Sequence, residues 1–197
     1  MEIAPLIDNT IWWKLKLDNP DSPDWQYAIK ILRKRIECRY LKPVDILIRK
    51  DNPKPATQRR YGFIVLAIDC LLIETLQAFK EGLTDTKNKS EKIFKNFLTT
   101  SPFFKKYFSQ SLAQKFYTDY RCGILHQSEV KEKHRVWSIG PLIRQNNTEI
   151  IINRTKIHDA LKNDFYYYLN ELKDRKNITL RCNFRKKMDY ISRKDTI

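Results

Sequence analysis

Residues 63–76, FIVLAIDCLLIETL, form the most apolar stretch of this 197-residue chain. Apolar side chains at nearly every position predict a helix that is buried on all sides, because a surface helix keeps one polar face. Gly82 marks its expected end. Asp69 interrupts the stretch, which is too short to span a bilayer. The sequence therefore predicts a helical bundle with this helix at its centre.

The chain before this stretch is expected to hold a helix over about residues 22–41. Residues 22–24 provide a capping hydroxyl, a proline suited to the first turn and an acid favoured by the helix dipole. Pro43 should end the helix, since the residue before a proline avoids helical geometry. Its polar face is interpreted as solvated, with contact to an RNA backbone as the alternative. Five basic side chains share this face: Lys30, Arg33, Lys34, Arg35 and Arg39.

The chain after the apolar stretch predicts a short helix, a longer helix, a hairpin and a long final helix. The short helix should run from Ser90 through Thr99, and the longer one should be capped by Ser109 and end near residues 127–129. Residues 135–144 and 149–153 are rich in strand-forming side chains around a polar turn, which predicts the hairpin. Residues 155–173 repeat apolar side chains with a helical period. The predicted fold is thus all-α in the main, a bundle of four to six helices with a small β-hairpin before the last long helix.

Three segments are expected along the chain. Residues 1–21 should form a lead-in that packs on the body through Trp12 and Trp13. Residues 22–174 should form the helical domain. Residues 175–197 are rich in lysine and arginine, and we interpret them as a loosely attached basic tail or a terminal helix.

The composition is strongly basic, with 38 Lys and Arg residues against 23 Asp and Glu and a net charge of +15. Such a cation attracts polyanions, of which nucleic acids are the largest common class, whereas no separate amphipathic basic helix favours a membrane. No secretory signal is recognisable, and the cysteines are widely spaced without a CxxC pair. We therefore expect a cytoplasmic protein with reduced thiols rather than a zinc site or disulfides. The cysteines are Cys38, Cys70, Cys122 and Cys182.

Residues 120–127, YRCGILHQ, place an arginine and a histidine in a segment that reads as helix. Arg121 is a permanent cation whose guanidinium forks onto phosphate, and His126 belongs to the residue type that transfers protons near neutral pH. On a basic chain this pair indicates chemistry on a phosphodiester. The alternative is structural, with an arginine–carboxylate pair and a helix-terminal histidine bound to backbone.

The spacing of the pair raises a geometric question. Five residues place Arg121 and His126 about 140° apart around a regular helix, so they do not share a face. Either an irregularity near Gly123 turns His126 toward the arginine, or two copies of the helix meet about a two-fold axis. We favour the second solution, because symmetry doubles the local positive charge.

The run YRCGILHQ resembles the Rx4–6H signature of HEPN domains, and it is most similar to abortive-infection and toxin-like members. The layout of residues 24–174 is similar as well. The resemblance implies a HEPN-like bundle, a metal-independent endoribonuclease without cofactor, and a symmetric homodimer that acts on RNA in a defence or toxin–antitoxin system. An antitoxin or another defence-system protein is the further partner it implies. Cys122 departs from the family, because many toxin members carry a polar residue there.

The resemblance also implies roles for individual residues. The 2′-hydroxyl of RNA would attack the adjacent phosphorus, with His126 as general base or acid and Arg121 stabilising the phosphoryl oxygens. Tyr117 and Tyr120 would position a base or phosphate, with core packing as the alternative. Gln127 would bind substrate or simply end the helix.

Two observations complete the expectations for the site. The carboxylate of Glu74 lies in an apolar helix, where it must be paired or protonated. Glu74 is therefore a candidate to orient Arg121, with a position at the helix edge or a capping role for a neighbouring element as the alternatives. His134 and His158 lack such context and are expected at the surface or at an edge. A non-catalytic HEPN-like module that binds RNA or protein remains the rival to the enzyme.

Overall fold

The fold is mainly helical, as the sequence predicts, in a computed structural model that describes residues 1–146 and 148–193. The helices are α1 (Asn9–Trp13), α2 (Asp24–Ile36), α3 (Lys42–Asp51), α4 (Gly62–Glu81), α5 (Ser90–Thr100), α6 (Gln110–Lys115), α7 (Cys122–Gln127), α8 (Arg154–Lys173) and α9 (Ile178–Ser192). The strands are β1 (Glu2–Ala4), β2 (Ile7–Asp8), β3 (Arg135–Trp137), β4 (Ile143–Gln145) and β5 (Ile150–Asn153). Two π-helical turns, Glu37–Leu41 and Phe116–Arg121, join α2 to α3 and α6 to α7.

Helix α4 is the central element. It packs against α5, α8 and α9, and its apolar side chains are largely buried. Its length and composition would suit a membrane span, but 61% of its most apolar window is buried inside the fold. Gly82 ends the helix in the left-handed region at φ +65°, where glycine carries no steric penalty. The predicted central helix is confirmed.

The predicted stop before Pro43 is wrong. Helix α2 continues through the π-helical turn Glu37–Leu41 directly into α3. The amide of Lys42 donates to the carbonyl of Glu37, five residues back, so the hydrogen-bond ladder is already widened where it reaches the proline. Pro43 then falls in the first turn of α3, where a missing N–H costs little.

The basic face of α2 is partly used for internal contacts. Arg35 Nη1 donates to the carbonyl of Ile3, and Arg39 Nη2 donates to the carbonyl of Glu2 at 3.2 Å. Burial lowers the pKa of Arg35. These contacts tie the antiparallel β1–β2 pair to α2, so part of this face holds the N-terminus rather than remaining solvated.

The predicted hairpin is present and belongs to a larger sheet. Strands β4 and β5 pair antiparallel, and β3 pairs parallel to the other side of β5, which gives the order β3-β5-β4. Ile152 in the central strand pairs with both Val136 and Ile143. Asn147 of the predicted turn lies outside the described residues.

Helix α9 shows that residues 178–192 are not a loose tail. Phe184 and Met188 are fully buried, and the Phe184 ring lies 5.7 Å from Trp12 and 6.3 Å from Trp25 between centroids. Arg181 is also buried, and its Nε donates to the carbonyl of Leu172. Residues 178–192 therefore form a terminal helix, which was the alternative to the loose tail. Residues 194–197 lie outside the residues that the structure describes.

The two tryptophans of the N-terminal lead-in bond to this helix, which the sequence analysis did not count as part of the body. Trp12 Nε1 donates to Asp189 Oδ1 at 2.7 Å, and Trp13 Nε1 donates to the carbonyl of Ser192 at 3.1 Å. Both partners lie on α9. The two ends of the chain thus stabilise each other.

Replacing Phe184 by alanine tests whether α9 belongs to the core. Loss of this buried ring should lower the free energy of unfolding by about 3–5 kcal/mol, because a cavity forms where three aromatic rings now meet it. Urea denaturation measures the change. Ile178→Ala, at an exposed position of the same helix, is the control and should change it by under about 0.5 kcal/mol. Equal, small effects of both substitutions would contradict the packing of α9.

Candidate active site

The helical segment that carries the motif begins at a serine, as predicted. The hydroxyl of Ser109 accepts a hydrogen bond from the amide of Leu112 and caps α6. The helix then widens in the π-helical turn Phe116–Arg121 and narrows again in α7. An irregularity therefore lies near Gly123, but it ends at Arg121, and the residues between Arg121 and His126 are regular helix.

Gly123 serves a different purpose, the close passage of the chain that leaves α7. Ser128 adopts the left-handed conformation at φ +57°, and the chain turns back over the helix. A Cβ on Gly123 would lie 2.5 Å from the carbonyl oxygen of Glu129, which backbone packing does not allow. Glycine is therefore required here for space, and it ends the motif helix in a tight reversal.

Arg121 and His126 meet within one chain. Arg121 Nη1 lies 3.5 Å from His126 Nε2. This corrects the expectation that one helix keeps them apart: residues 122–127 form a regular helix, and the long side chain of Arg121 reaches along it to the imidazole. A guanidinium only donates, so the contact suits a neutral imidazole whose Nε2 accepts. The distance is long for a hydrogen bond, and a substrate can displace it.

Glu74 holds the arginine from the central helix. Its Oε1 accepts a hydrogen bond from Arg121 Nε at 2.7 Å, and both side chains are mostly buried. Burial opposes the charge on Arg121, but the hydrogen bond and charge of Glu74 outweigh it and raise the pKa of Arg121. The guanidinium is therefore a fixed cation whose Nε faces Glu74 and whose Nη1 faces His126.

Tyr117 and Cys122 complete the surroundings of the guanidinium. The arginine Cζ lies 5.3 Å from the centre of the Tyr117 ring, and Nη1 lies 4.0 Å from Cys122 Sγ. Partial burial raises the pKa of Tyr117, which keeps its hydroxyl protonated. Tyr117 also meets the ring of Phe94 edge-on, so it packs on the core and lines the arginine at the same time.

A cavity of about 370 Å³ opens beside Arg121. Helix α9 contributes Lys187 and Tyr190 to the wall of the cavity. The sequence placed Lys187 in the expected basic tail, and it did not single out Tyr190. Lys187 Nζ donates to the carbonyl of Thr84 at 2.6 Å, and burial lowers its pKa. The helical period of α9 was visible in the sequence, but its position against α4 was not. The wall consists of Leu71, Glu74, Thr75, Ala78, Thr84, Asp85, Thr86, Arg121, Leu125, Lys187 and Tyr190.

Two of the residues proposed to bind substrate lie elsewhere. Tyr120 is fully buried, and its hydroxyl donates to the carbonyl of Ile150 at 2.5 Å, so it joins the helix to the sheet and cannot reach substrate. Its assignment as a substrate-binding residue is wrong, because the packing alternative applies. Gln127 is exposed at the last position of α7 and is not part of the cavity wall.

The other two histidines are internal, which corrects their expected surface positions. His158 is fully buried, and its Nδ1 lies 2.7 Å from Asp69 Oδ1. Burial raises the pKa of Asp69. His134 stacks on the ring of Tyr120, and its Nδ1 accepts a hydrogen bond from the amide of Ile150 at 3.1 Å. His126 is thus the exposed histidine.

Comparison of the chain with models of known protein families, with characterised proteins and with solved structures finds no match. Within residues 1–146 and 148–193, no three His, Cys, Asp or Glu side chains are grouped to hold a metal ion. The site offers a fixed guanidinium, an imidazole at its side and a cavity with a second cation. This arrangement can bind an anion and transfer a proton next to it.

A double-mutant cycle measures how firmly Glu74 holds Arg121. Glu74→Gln, Arg121→Gln and the double variant should give a coupling energy of about 1–2 kcal/mol in urea denaturation, because the pair is shielded and charged. The same cycle on the exposed pair Arg175–Asp21, which has a similar distance of 2.6 Å, should give under about 0.5 kcal/mol. Coupling at Glu74 no larger than at the exposed pair would contradict the positioning role.

Proposed function

We propose that this protein is a metal-independent endoribonuclease whose active site contains Arg121 and His126. The observation that carries the proposal is the contact of Arg121 Nη1 with His126 Nε2 at 3.5 Å, on an arginine that Glu74 fixes at the rim of a cavity. The resemblance to HEPN domains supports the same assignment. The net charge of +15 supports a polyanionic substrate.

His126 acts on the nucleophile in this proposal. The Nε2 atom of His126 faces the guanidinium of Arg121, which can only donate hydrogen bonds, so Nε2 is the acceptor of the pair. In the proposed reaction the imidazole takes the proton of the RNA 2′-hydroxyl. The oxygen attacks the adjacent phosphorus and the 5′-oxygen leaves, which yields a 2′,3′-cyclic phosphate and a 5′-hydroxyl. DNA lacks the 2′-hydroxyl and remains uncut.

Arg121 stabilises the phosphoryl oxygens as negative charge grows on them. Its raised pKa keeps it charged, and the Glu74 contact uses Nε while the Nη atoms remain for substrate. Lys187 in the same cavity wall adds a second cation, next to the carboxylate of Asp85. Glu74 is a positioning residue, because it acts through the arginine.

A second copy of the chain supplies the acid at the leaving oxygen. In-line displacement needs proton transfer on both sides of the phosphorus, while His134 and His158 are held inside the fold. Two copies related by a two-fold axis would each contribute His126. Leu71 and Leu125, at 43% and 45% exposure beside Arg121, form an apolar rim that such a partner would cover.

The rival function is a non-catalytic module that binds RNA or protein. The observation that favours it is the ion pair itself, since Glu74 cancels much of the charge that Arg121 would offer to phosphate. Both functions fit a defence or toxin–antitoxin system, in which an antitoxin or other partner would restrain the enzyme. Cleavage separates the two.

RNA cleavage in EDTA tests the proposal. Arg121→Ala and His126→Ala should each lower the rate by about 10²–10⁴-fold, because each removes a group that acts in the transition state. Denaturing gels and end-group analysis measure the rate and the cyclic phosphate. Lys105→Gln removes an exposed charge from another surface and should retain activity. Equal degradation by all variants would indicate a contaminant and refute the assignment, and so would a requirement for divalent metal.

Leu125→Glu tests the two-fold site. A charge on the apolar rim should convert a dimer to a monomer, because a buried unpaired carboxylate is costly. Sedimentation velocity at micromolar concentration measures the change, with Ile46→Glu at another exposed apolar position as the control. A wild-type protein that sediments as a monomer while cleaving RNA at its full rate would contradict the shared site.

A further inference from the structure

A second cavity of about 370 Å³ lies at the other end of α4. It opens between the first turn of α4, the 3-10 turn Ala56–Gln58 and strand β3. Gly62 in its wall precedes Glu74 by twelve residues, about 18 Å along the helix, so this cavity is separate from the Arg121 site. The wall consists of Ala56, Thr57, Arg59, Gly62, Val136, Trp137, Ser138, Ile139 and Arg154.

Arg154 is the buried cation in this wall. It is 1% exposed, and its Nη2 donates to Asp51 Oδ2 at 2.8 Å. Its Nη1 is buried without a hydrogen-bond partner, although an unpaired donor on a charged group is expensive to bury. Burial lowers the pKa of Arg154 against the influence of Asp51. Arg154 is part of the cavity wall, and its Nη1 is the nitrogen whose hydrogen bonds an acceptor bound there would complete.

Arg59 adds a second positive charge to the same wall. Neutral oxygens hold its guanidinium in place, among them Ser138 Oγ at 2.8 Å and the carbonyl of Asn52 at 2.6 Å. These contacts fix the side chain without cancelling its charge. The carboxylate of Asp51 neutralises one positive charge, and it is shared between Arg154 and Lys54. The cavity therefore retains positive potential.

The first turn of α4 points the same way. The preceding residue, Tyr61, makes no side-chain capping hydrogen bond, and α4 is 20 residues long. The amides of its first turn lack partners within the helix, and the helix dipole places partial positive charge there. The amides of Arg60 and Tyr61, just before the helix, donate to Asp51, which also pairs with Arg154. The amides of the first turn itself and the unpartnered Nη1 of Arg154 remain as donors for an anion.

The remaining wall is apolar. Val136, Trp137 and Ile139 lie on or beside β3, and the last two are substantially exposed for such large side chains. Arg144 stacks on the Trp137 ring with its Cζ 5.4 Å from the centroid, which holds the indole in place. A flat organic group that covered these side chains would remove apolar surface from water.

We propose that this cavity binds a small organic monophosphate. The phosphate group contacts Arg154, Arg59 and the first turn of α4, while a flat organic group attached to it covers Trp137 and Ile139. The ligand is a free small molecule rather than a segment of the RNA substrate. The site does not depend on the ribonuclease assignment, since it shares no residue with the Arg121 cavity.

Titration calorimetry of the full-length protein tests the site with three probes: phenyl phosphate, inorganic phosphate and phenol. Phenyl phosphate should bind with one-to-one stoichiometry and about tenfold more tightly than inorganic phosphate, because the ring is buried against the apolar wall. Phenol should show no saturable binding, because it lacks the anion.

Two variants locate the binding. Arg154→Lys keeps a positive charge near Asp51 but removes the unpaired guanidinium nitrogen, and it should weaken phenyl phosphate at least about tenfold. Ala56→Trp fills the cavity from an exposed turn and should abolish binding without touching a buried charge. Arg121→Ala, which removes an arginine from the other cavity, is the matched control and should bind like the wild type.

The outcomes separate cleanly. Absence of saturable phenyl phosphate binding by the folded wild type would overturn the site. Binding that survives in Ala56→Trp, or that is lost in Arg121→Ala, would place the ligand elsewhere on this basic protein and overturn it as well. Equal affinities for phenyl phosphate and inorganic phosphate would refute the organic ligand. If Arg154→Lys fails to fold, Ala56→Trp decides alone.

Discussion

Burial of α4 is the constraint on which the rest of the structure depends. The helix lies inside the bundle, so each charged side chain on its buried length needs a partner from a surrounding element. Asp69 pairs with His158, and Glu74 pairs with Arg121. Near the end of the helix Lys80 pairs with Asp164 of α8 at 2.6 Å. These pairs fix the rotation of α4 against α8 and against the motif helix.

The Glu74 pair converts this structural need into a site. A carboxylate inside an apolar helix attracts the nearest guanidinium, and the π-helical turn before α7 delivers Arg121 to it. The other face of the same guanidinium then meets His126. One buried charge on the central helix therefore holds Arg121 in a position from which it contacts His126. Helix α9 closes the cavity beside them, so the end of the chain takes part in the same arrangement.

The two ends of α4 offer different chemistry. Its middle and C-terminal part lines the cavity of Arg121, and the exposed imidazole of His126 lies beside that arginine but outside the cavity wall. Its N-terminus lines a cavity with positive charge and an apolar wall but no histidine. The first cavity fits a reaction on RNA in the proposed function, and the second fits binding alone. The helix connects them as a rigid element.

Local patterns predicted the elements but not their contacts. The central helix, the final long helix, the serine-capped motif helix and the hairpin each follow from periodicity or capping within a few residues. The stop at Pro43 failed because a π-helical turn admits a proline that an α-helical pattern excludes. The interpretation of a loose tail failed for residues 178–192. A basic helix with a narrow apolar stripe looks like a solvated helix in the sequence, because its packing partners, such as Trp12, are distant in the chain.

The sequence by itself determined the apolar centre of the bundle, the positive charge and the candidates Arg121, His126 and Glu74, because these follow from residue type and order. Only the tertiary structure decided which of them touch. It brought Glu74 to Arg121 across 47 positions of sequence, and it removed Tyr120 from consideration as a substrate-binding residue by burying it. Side-chain burial and the meeting of distant charges depend on how helices pack, and no local pattern encodes that packing.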